Sequence, residues 1–236
     1  MKEKIRRLLS HYGWFLRKTP GLPAGVDLEH DWHALAGLPQ PRVIFDVGGH
    51  RGETCERFAL GFPNAAIHSF EPVRDNFAAL NARASAYPNI TCHPLALGAR
   101  RERIAIVLQS DSQTHSLRHR AVDASAPAET IDVTTVDEFC SECGLARVDL
   151  LKIDTEGCEL AVLAGAHALL TQRAIGPVLL EASLDEDDHE HTMLADATKL
   201  LCPFGYRLAA LYDQVMWRDP TRLAYFNALF VPAPHA

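Results

Sequence analysis

Short apolar runs alternate with helical stretches along this chain, and that alternation restricts the fold more than any other feature. The runs are RVIFDV (42–47), AAIHSFEP (65–72), ITCHPLALG (90–98), VDLLKID (148–154) and GPVLLEA (176–182). Each is short and apolar in the manner of a strand buried on both faces. Between the first three lie ETCERFALGF, closed by Pro63, and RDNFAALNARASA, which puts Phe77, Leu80 and Ala84 on one helical face. Strands joined by helices of this length form βαβ units, and therefore a parallel sheet covered on both sides. The expected fold is α/β, with a doubly wound, mostly parallel sheet of seven strands.

Two regions depart from the alternation. ERIAIVLQ (102–109) and ETIDVTTV (129–136) read as extended segments around a polar loop, a small β insertion. A helix (135–144) leads from it to the fourth strand, and TEGCELAVLAGAHALLTQ (155–172) reads as the helix after that strand. At the end, YRLAAL (206–211) and AYFNALFVP (224–232) are joined without a helix. That connection predicts an antiparallel pair at one edge of the sheet.

The chain has 236 residues, 47% of them hydrophobic, enough for one larger domain with a full core. Residues 1–40 are expected to form an N-terminal helical cap and 41–236 the main domain. The first 18 residues hold six Lys or Arg and one Glu, with Ile5, Leu8, Leu9, Tyr12 and Phe15 at helical spacing. Such an amphipathic helix packs on a domain or touches an anionic membrane surface. Ser10, His11 and Gly13 interrupt any signal-peptide core, and no apolar run approaches the about 20 residues that cross a bilayer. The cytoplasm is the expected location. A net charge of −7 argues against nucleic acid as a partner. Cys140 and Cys143 form a lone C-x-x-C with no second pair, so the six cysteines read as ordinary reduced thiols.

Sheets of this kind bind ligands at the carboxyl ends of their strands. The first such end reads DVGGHRG, from Asp46 through Gly48, Gly49 and His50 to Gly52. The spacing fits neither a P-loop nor the G-x-G-x-x-G fingerprint. A glycine loop entering a helix still brings backbone close to a ligand and turns amide groups towards an anion. Glu71 ends the second strand, where a carboxylate can accept from both hydroxyls of a ribose. Together the two features read as a nucleoside cofactor site.

FDVGGHRGET, FEPVRDNFAALNA, LALG, VDLLKIDTEGCELAVLAGA, LLEA and NALFVP occur in that order from about Val43 to Pro232. In these motifs the chain resembles the FkbM-type methyltransferases, class I enzymes dependent on S-adenosyl-L-methionine. His50 stands where that family often has Asn. The resemblance implies a Rossmann-like class I fold with a cofactor site at Asp46, Gly48, Gly49, His50, Gly52, Glu71, Pro72, Ala96, Leu97 and Asp154. Glu71 suits the ribose, the glycine loop the carboxylate tail, Asp46 or a nearby carboxylate the ammonium, and 95–98 the adenine.

Asp154 lies at the mouth of the fourth strand. General base, hydrogen-bond acceptor and helix-start charge all remain open to it, and also to Glu156 and Glu159, which would share a helix face three residues apart. His115, in the polar loop with Ser112, Thr114 and Ser116, is a second candidate base. The catalytic set is thus Asp154, His115 and Glu156. LDEDDHEHTM (184–193) offers Asp185, Asp187, Asp188, His189 and His191, but these read as cap and dipole residues ahead of the next helix, and no metal is expected. The expected activity is O-methylation of a hydroxyl on a small molecule, natural product or glycan. The alternatives are N-methylation and a non-catalytic cofactor-binding protein of the same fold.

Overall fold

A computed structural model describes residues 22–36, 39–107, 128–188, 190–217 and 221–233. In chain order the first elements are α1 (Leu28–Ala36), β1 (Val43–Val47), α2 (Glu53–Gly61), β2 (Ala66–Phe70), α3 (Arg74–Ala84) and β3 (Ile90–His93). Next come β4 (Ala96–Leu97), β5 (Glu102–Val107), β6 (Ala128–Thr134), α4 (Val136–Cys143) and β7 (Leu150–Ile153). The last are α5 (Glu159–Ala164), α6 (His167–Thr171), β8 (Val178–Ser183), β9 (Thr192–Met193), α7 (Leu194–Leu201), β10 (Tyr206–Met216) and β11 (Leu223–Pro232).

The main sheet runs β10-β11-β8-β7-β1-β2-β3, and the two-residue β9 adds an eighth strand beside β8. β3, β2, β1, β7 and β8 are parallel, while β11 and β10 close the edge as the expected antiparallel pair. The period of two along β1 sends Phe45 and Val47 into one core and Ile44 into the other. α4 to α7 cover the first face. The second carries α1, α2 and α3, with Trp32, Phe58 and Leu80 buried against Ile44 and Leu150. α1 is tied down by Asp31, whose Oδ2 accepts from Gly25 N (2.8 Å) and Tyr212 OH (3.0 Å).

Three elements differ from their sequence-based boundaries. The segment 90–98 is not one strand. Pro94 has no N–H for a ladder, and beyond it the chain leaves β2 for a separate three-stranded sheet, β4-β6-β5. The segment 155–172 is not one helix: Glu156 and Gly157 take positive φ (53° and 90°), so helix begins only at Glu159 and divides again before α6. β10 extends five residues past Leu211. From β1 the chain winds outward to β3 and returns to β7 on the other side of β1. The change of direction therefore falls between the ends of β1 and β7, where ligands of such sheets bind.

Candidate active site

Beyond those two strand ends lies a cleft. Its wall includes Gly48 and His50 after β1, Glu71 and Pro72 after β2, Ala96 and Leu97 of β4, Ile106 of β5, and Asp154 to Glu156 after β7. Glu181 of β8 and Tyr225 of β11 complete the far end. Gly48, His50, Glu71, Pro72, Ala96, Leu97, Asp154 and Glu156 thus meet in one place. His115 lies outside the described residues, as does the N-terminal amphipathic stretch.

Asp46, Gly49 and Gly52 are not on the wall. Asp46 is wholly buried behind it, where its Oδ2 accepts from Ser69 Oγ (2.8 Å) and its Oδ1 lies 3.1 Å from Lys152 Nζ. It cannot meet an ammonium in the cleft. The glycines are there mainly for packing. At Gly48 (φ 79°) a Cβ would fall 1.7 Å from the Asp154 carbonyl oxygen, and at Gly49 it would fall 2.2 Å from Ser69 Oγ. The loop also spends its amides internally. Gly48 N and Gly49 N donate to Phe70 O (3.0 and 2.9 Å), and Gly52 N donates to Gly49 O (2.8 Å). Those three amides are therefore not turned to an anion in the cleft.

Glu71 is held differently. Its Oε2 accepts from His50 N and its Oε1 from Val73 N, each at 2.9 Å. A carboxylate oxygen accepts twice, so both retain capacity towards the cleft. Burial pushes its pKa up to about 7, with Asp46 adding to the rise and the two amides opposing it.

The least expected residue is Lys152, buried in the middle of the apolar LLKI strand. β1 and β7 register Asp46 against Lys152, and β1 and β2 register Asp46 against Ser69. A polar row therefore crosses three strands just below the cleft. Lys152 Nζ also lies 3.3 Å from Asp154 Oδ2 and donates to Gly48 O at 3.3 Å. Burial works against its charge, but Asp154 and Asp46 outweigh burial and its pKa is raised. The row props the glycine loop and aims Asp154, whose side chain is a third exposed.

Glu159 does not share a helix face with Glu156. It is fully buried, with Oε1 accepting from Thr155 N, Thr155 Oγ1 and Gly157 N and Oε2 from Thr192 Oγ1. It is the keystone of the 154–157 turn. That turn holds Glu156 on the cleft wall, where burial and then Asp154 and Glu159 push its pKa up to about 8. Burial, with Asp154 and Glu156 next, holds Glu181 far above the usual carboxylate range. The acidic stretch before α7 does not cap that helix, whose N-cap is Met193 with no side-chain bond. Asp188 instead accepts from Glu190 N and His191 N in a turn of its own.

The sequence profile described as the methyltransferase FkbM domain matches residues 46–208. The chain belongs to the FkbM methyltransferase family. FkbM relatives include the 2-O-methyltransferase NoeI of Sinorhizobium fredii, 28% identical over 156 residues, which cover 59% of this chain and 63% of that protein. The 31-O-demethyl-FK506 methyltransferase FkbM of Streptomyces tacrolimicus is 30% identical over 156 residues, covering 53% and 59%. The chain thus spans about three-fifths of the length of these relatives. Among solved structures, a putative O-methyltransferase from Klebsiella pneumoniae is 11% identical with a TM-score of 0.47, covering 98% of this chain and 89% of that one. No described helix is long and apolar enough to cross a membrane.

Proposed function

We propose that this protein uses S-adenosyl-L-methionine to methylate a hydroxyl on a small molecule, natural product or glycan. The observation that carries this reading is Glu71: a buried carboxylate at the end of β2, on the cleft wall, with acceptor capacity left on both oxygens. It matches a ribose diol. Phe70, Ala96, Leu97 and Ile106 supply apolar wall for a base. Both family relatives described above are named for methylation at an oxygen. Bound in the cleft, the cofactor supplies an electrophilic methyl group on a sulfonium. The chain's own work is to hold the two reactants in line and to take up or orient the hydroxyl proton. Asp154 is the carboxylate on the cleft wall, fixed by Lys152, that suits this task.

Calorimetry with S-adenosylmethionine, followed by a methyl-release screen over hydroxyl compounds, tests the reading. Glu71→Gln is the informative variant, because Glu71→Ala would strand the amides of both His50 and Val73, whereas the Gln carbonyl still accepts from one of them. Loss of a charged acceptor is worth ~1.5–3 kcal/mol, so the variant should bind about 10- to 100-fold more weakly. With its pKa near 7, Glu71 ionises across neutral pH. Wild-type affinity should therefore strengthen as pH rises through 7, more steeply than the variant's. Unchanged affinity in Glu71→Gln would remove the ribose assignment.

A further inference from the structure

We propose that Glu156, Glu181 and His191 form a binding site for a divalent first-row metal ion at the end of the cleft. One ligand atom from each lies within 4.8 Å of the others, a span that bonds of about 2.1 Å to a shared ion close with small side-chain rotations. The three come from separate places, the turn after β7, the body of β8 and the residue before β9, so no sequence spacing announces them.

Two independent observations point to a cation. The first is Glu181, only 8% exposed. Its buried Oε2 receives no hydrogen bond from any described group and lies 3.6 Å from His191 Nε2. The second is the orientation of His191. Its Nδ1 sits 2.8 Å from Asp188 Oδ2, and its ring stacks on Tyr225 at 4.3 Å, 17° from parallel. With Nδ1 turned to Asp188, Nε2 faces Glu181, and in the tautomer that gives Nδ1–H to Asp188 this nitrogen offers a lone pair. Once Glu181 is ionised, its Oε2 and that nitrogen are two acceptors with nothing donated between them, a gap that a cation fills. A carboxylate–histidine pair of this kind is how proteins orient a metal-binding imidazole. Deprotonated on metal binding, the two carboxyl groups with a neutral imidazole balance a charge of +2, in a corner where Asp154 and Glu159 add further negative charge. The nitrogen favours Mn²⁺ or Zn²⁺ over Ca²⁺ or Mg²⁺, which prefer all-oxygen shells. On the methyltransferase reading, from which the ion's purpose follows, the site lies beside Asp154 on the same cleft and offers an acceptor oxygen a cation to bind.

The test is a titration of chelator-stripped full chain with Mn²⁺, reading unbound ion by electron paramagnetic resonance, with Zn²⁺ as competitor. One saturable site per chain is expected. Glu181→Gln and His191→Gln should each weaken it at least about tenfold, and Asp188→Asn, which acts through His191, by about 10- to 100-fold. Glu186→Gln, an exposed neighbour, should leave it unchanged. Circular dichroism checks that each variant folds; if His191→Gln does not, Asp188→Asn decides. S-adenosylmethionine affinity is measured in parallel on the same samples. Absence of saturable Mn²⁺ and Zn²⁺ binding, or binding unmoved by all three variants, overturns the site even if the cofactor binds. Metal binding at these residues without cofactor binding keeps the site and removes the purpose given to it.

Discussion

Asp154 carries the sharpest prediction at the scale of single residues. Its amide donates to Val47 O at 3.0 Å, its Oδ2 faces Lys152, and the rest of its side chain looks into the cleft. Asp154→Asn keeps this shape and removes the charge. Lys152 would not be stranded, because Asp46 stays 3.1 Å away, so the usual penalty for breaking a buried pair is largely avoided. If Asp154 receives the acceptor's proton, turnover at saturating cofactor should fall ~100-fold or more while cofactor affinity barely moves. Affinity that falls first, with a rate restored by excess cofactor, would make it a cofactor ligand instead. The places of Glu71 and Asp154 on the cleft wall were legible in the sequence because both follow apolar strands, whose carboxyl ends face the ligand crevice. Lys152 was not. A lysine inside LLKID makes sense only when Asp46 is seen beside it, 106 positions earlier, and strand register is not written locally.

Elements show the same division between local and distant information. β1, β2, β7 and β8 fell close to their expected places because their apolar runs are short, dense and bounded by turn residues. The segments 90–98 and 155–172 were read as too continuous, although the breaks have local signals: Pro94 in one, and the D-T-E-G turn chemistry in the other. The burial of α1 had a weaker signal. Trp32 is 1% exposed, packs edge-on against Phe62 at 5.4 Å and donates from Nε1 to Pro39 O at 3.0 Å. Trp32→Ala should destabilise the protein by about 3–5 kcal/mol, read from urea unfolding. A loss under about 1 kcal/mol would mean that α1 is an attachment rather than part of the core.

At the scale of the whole molecule, the cleft gathers acids that the fold holds against their preference for ionisation, and stability should record it. Burial pushes Glu71 up to about 7 and Glu156 up to about 8, and Glu181 is raised as well. An unfolded chain releases these protons near pH 4.5, while the folded chain keeps them until its own higher pKa is reached. Between those limits the folded state binds more protons, so unfolding becomes easier as pH rises. Each such group costs up to ~1.4 kcal/mol per pH unit across its window. Glu56 and Glu138 act in the opposite sense. Bonds from Tyr87 and Arg83 to the first, and from Thr134 and Arg101 to the second, lower their pKa, so their contribution is lost on acidification. His68 and His93, whose pKa values burial lowers, oppose the trend below about pH 6.5, where the unfolded chain takes up their protons, so metal-stripped, cofactor-free protein should lose stability steadily from about pH 6.5 to about pH 8. Glu156→Gln and Glu181→Gln each remove one ionisation from that window. Both variants should raise the urea midpoint at pH 8, flatten the decline, and change little at pH 5. A wild-type midpoint that climbs from pH 6.5 to 8 would show that the cleft acids are ionised in the folded chain, and the strain ascribed to their burial would have to be withdrawn.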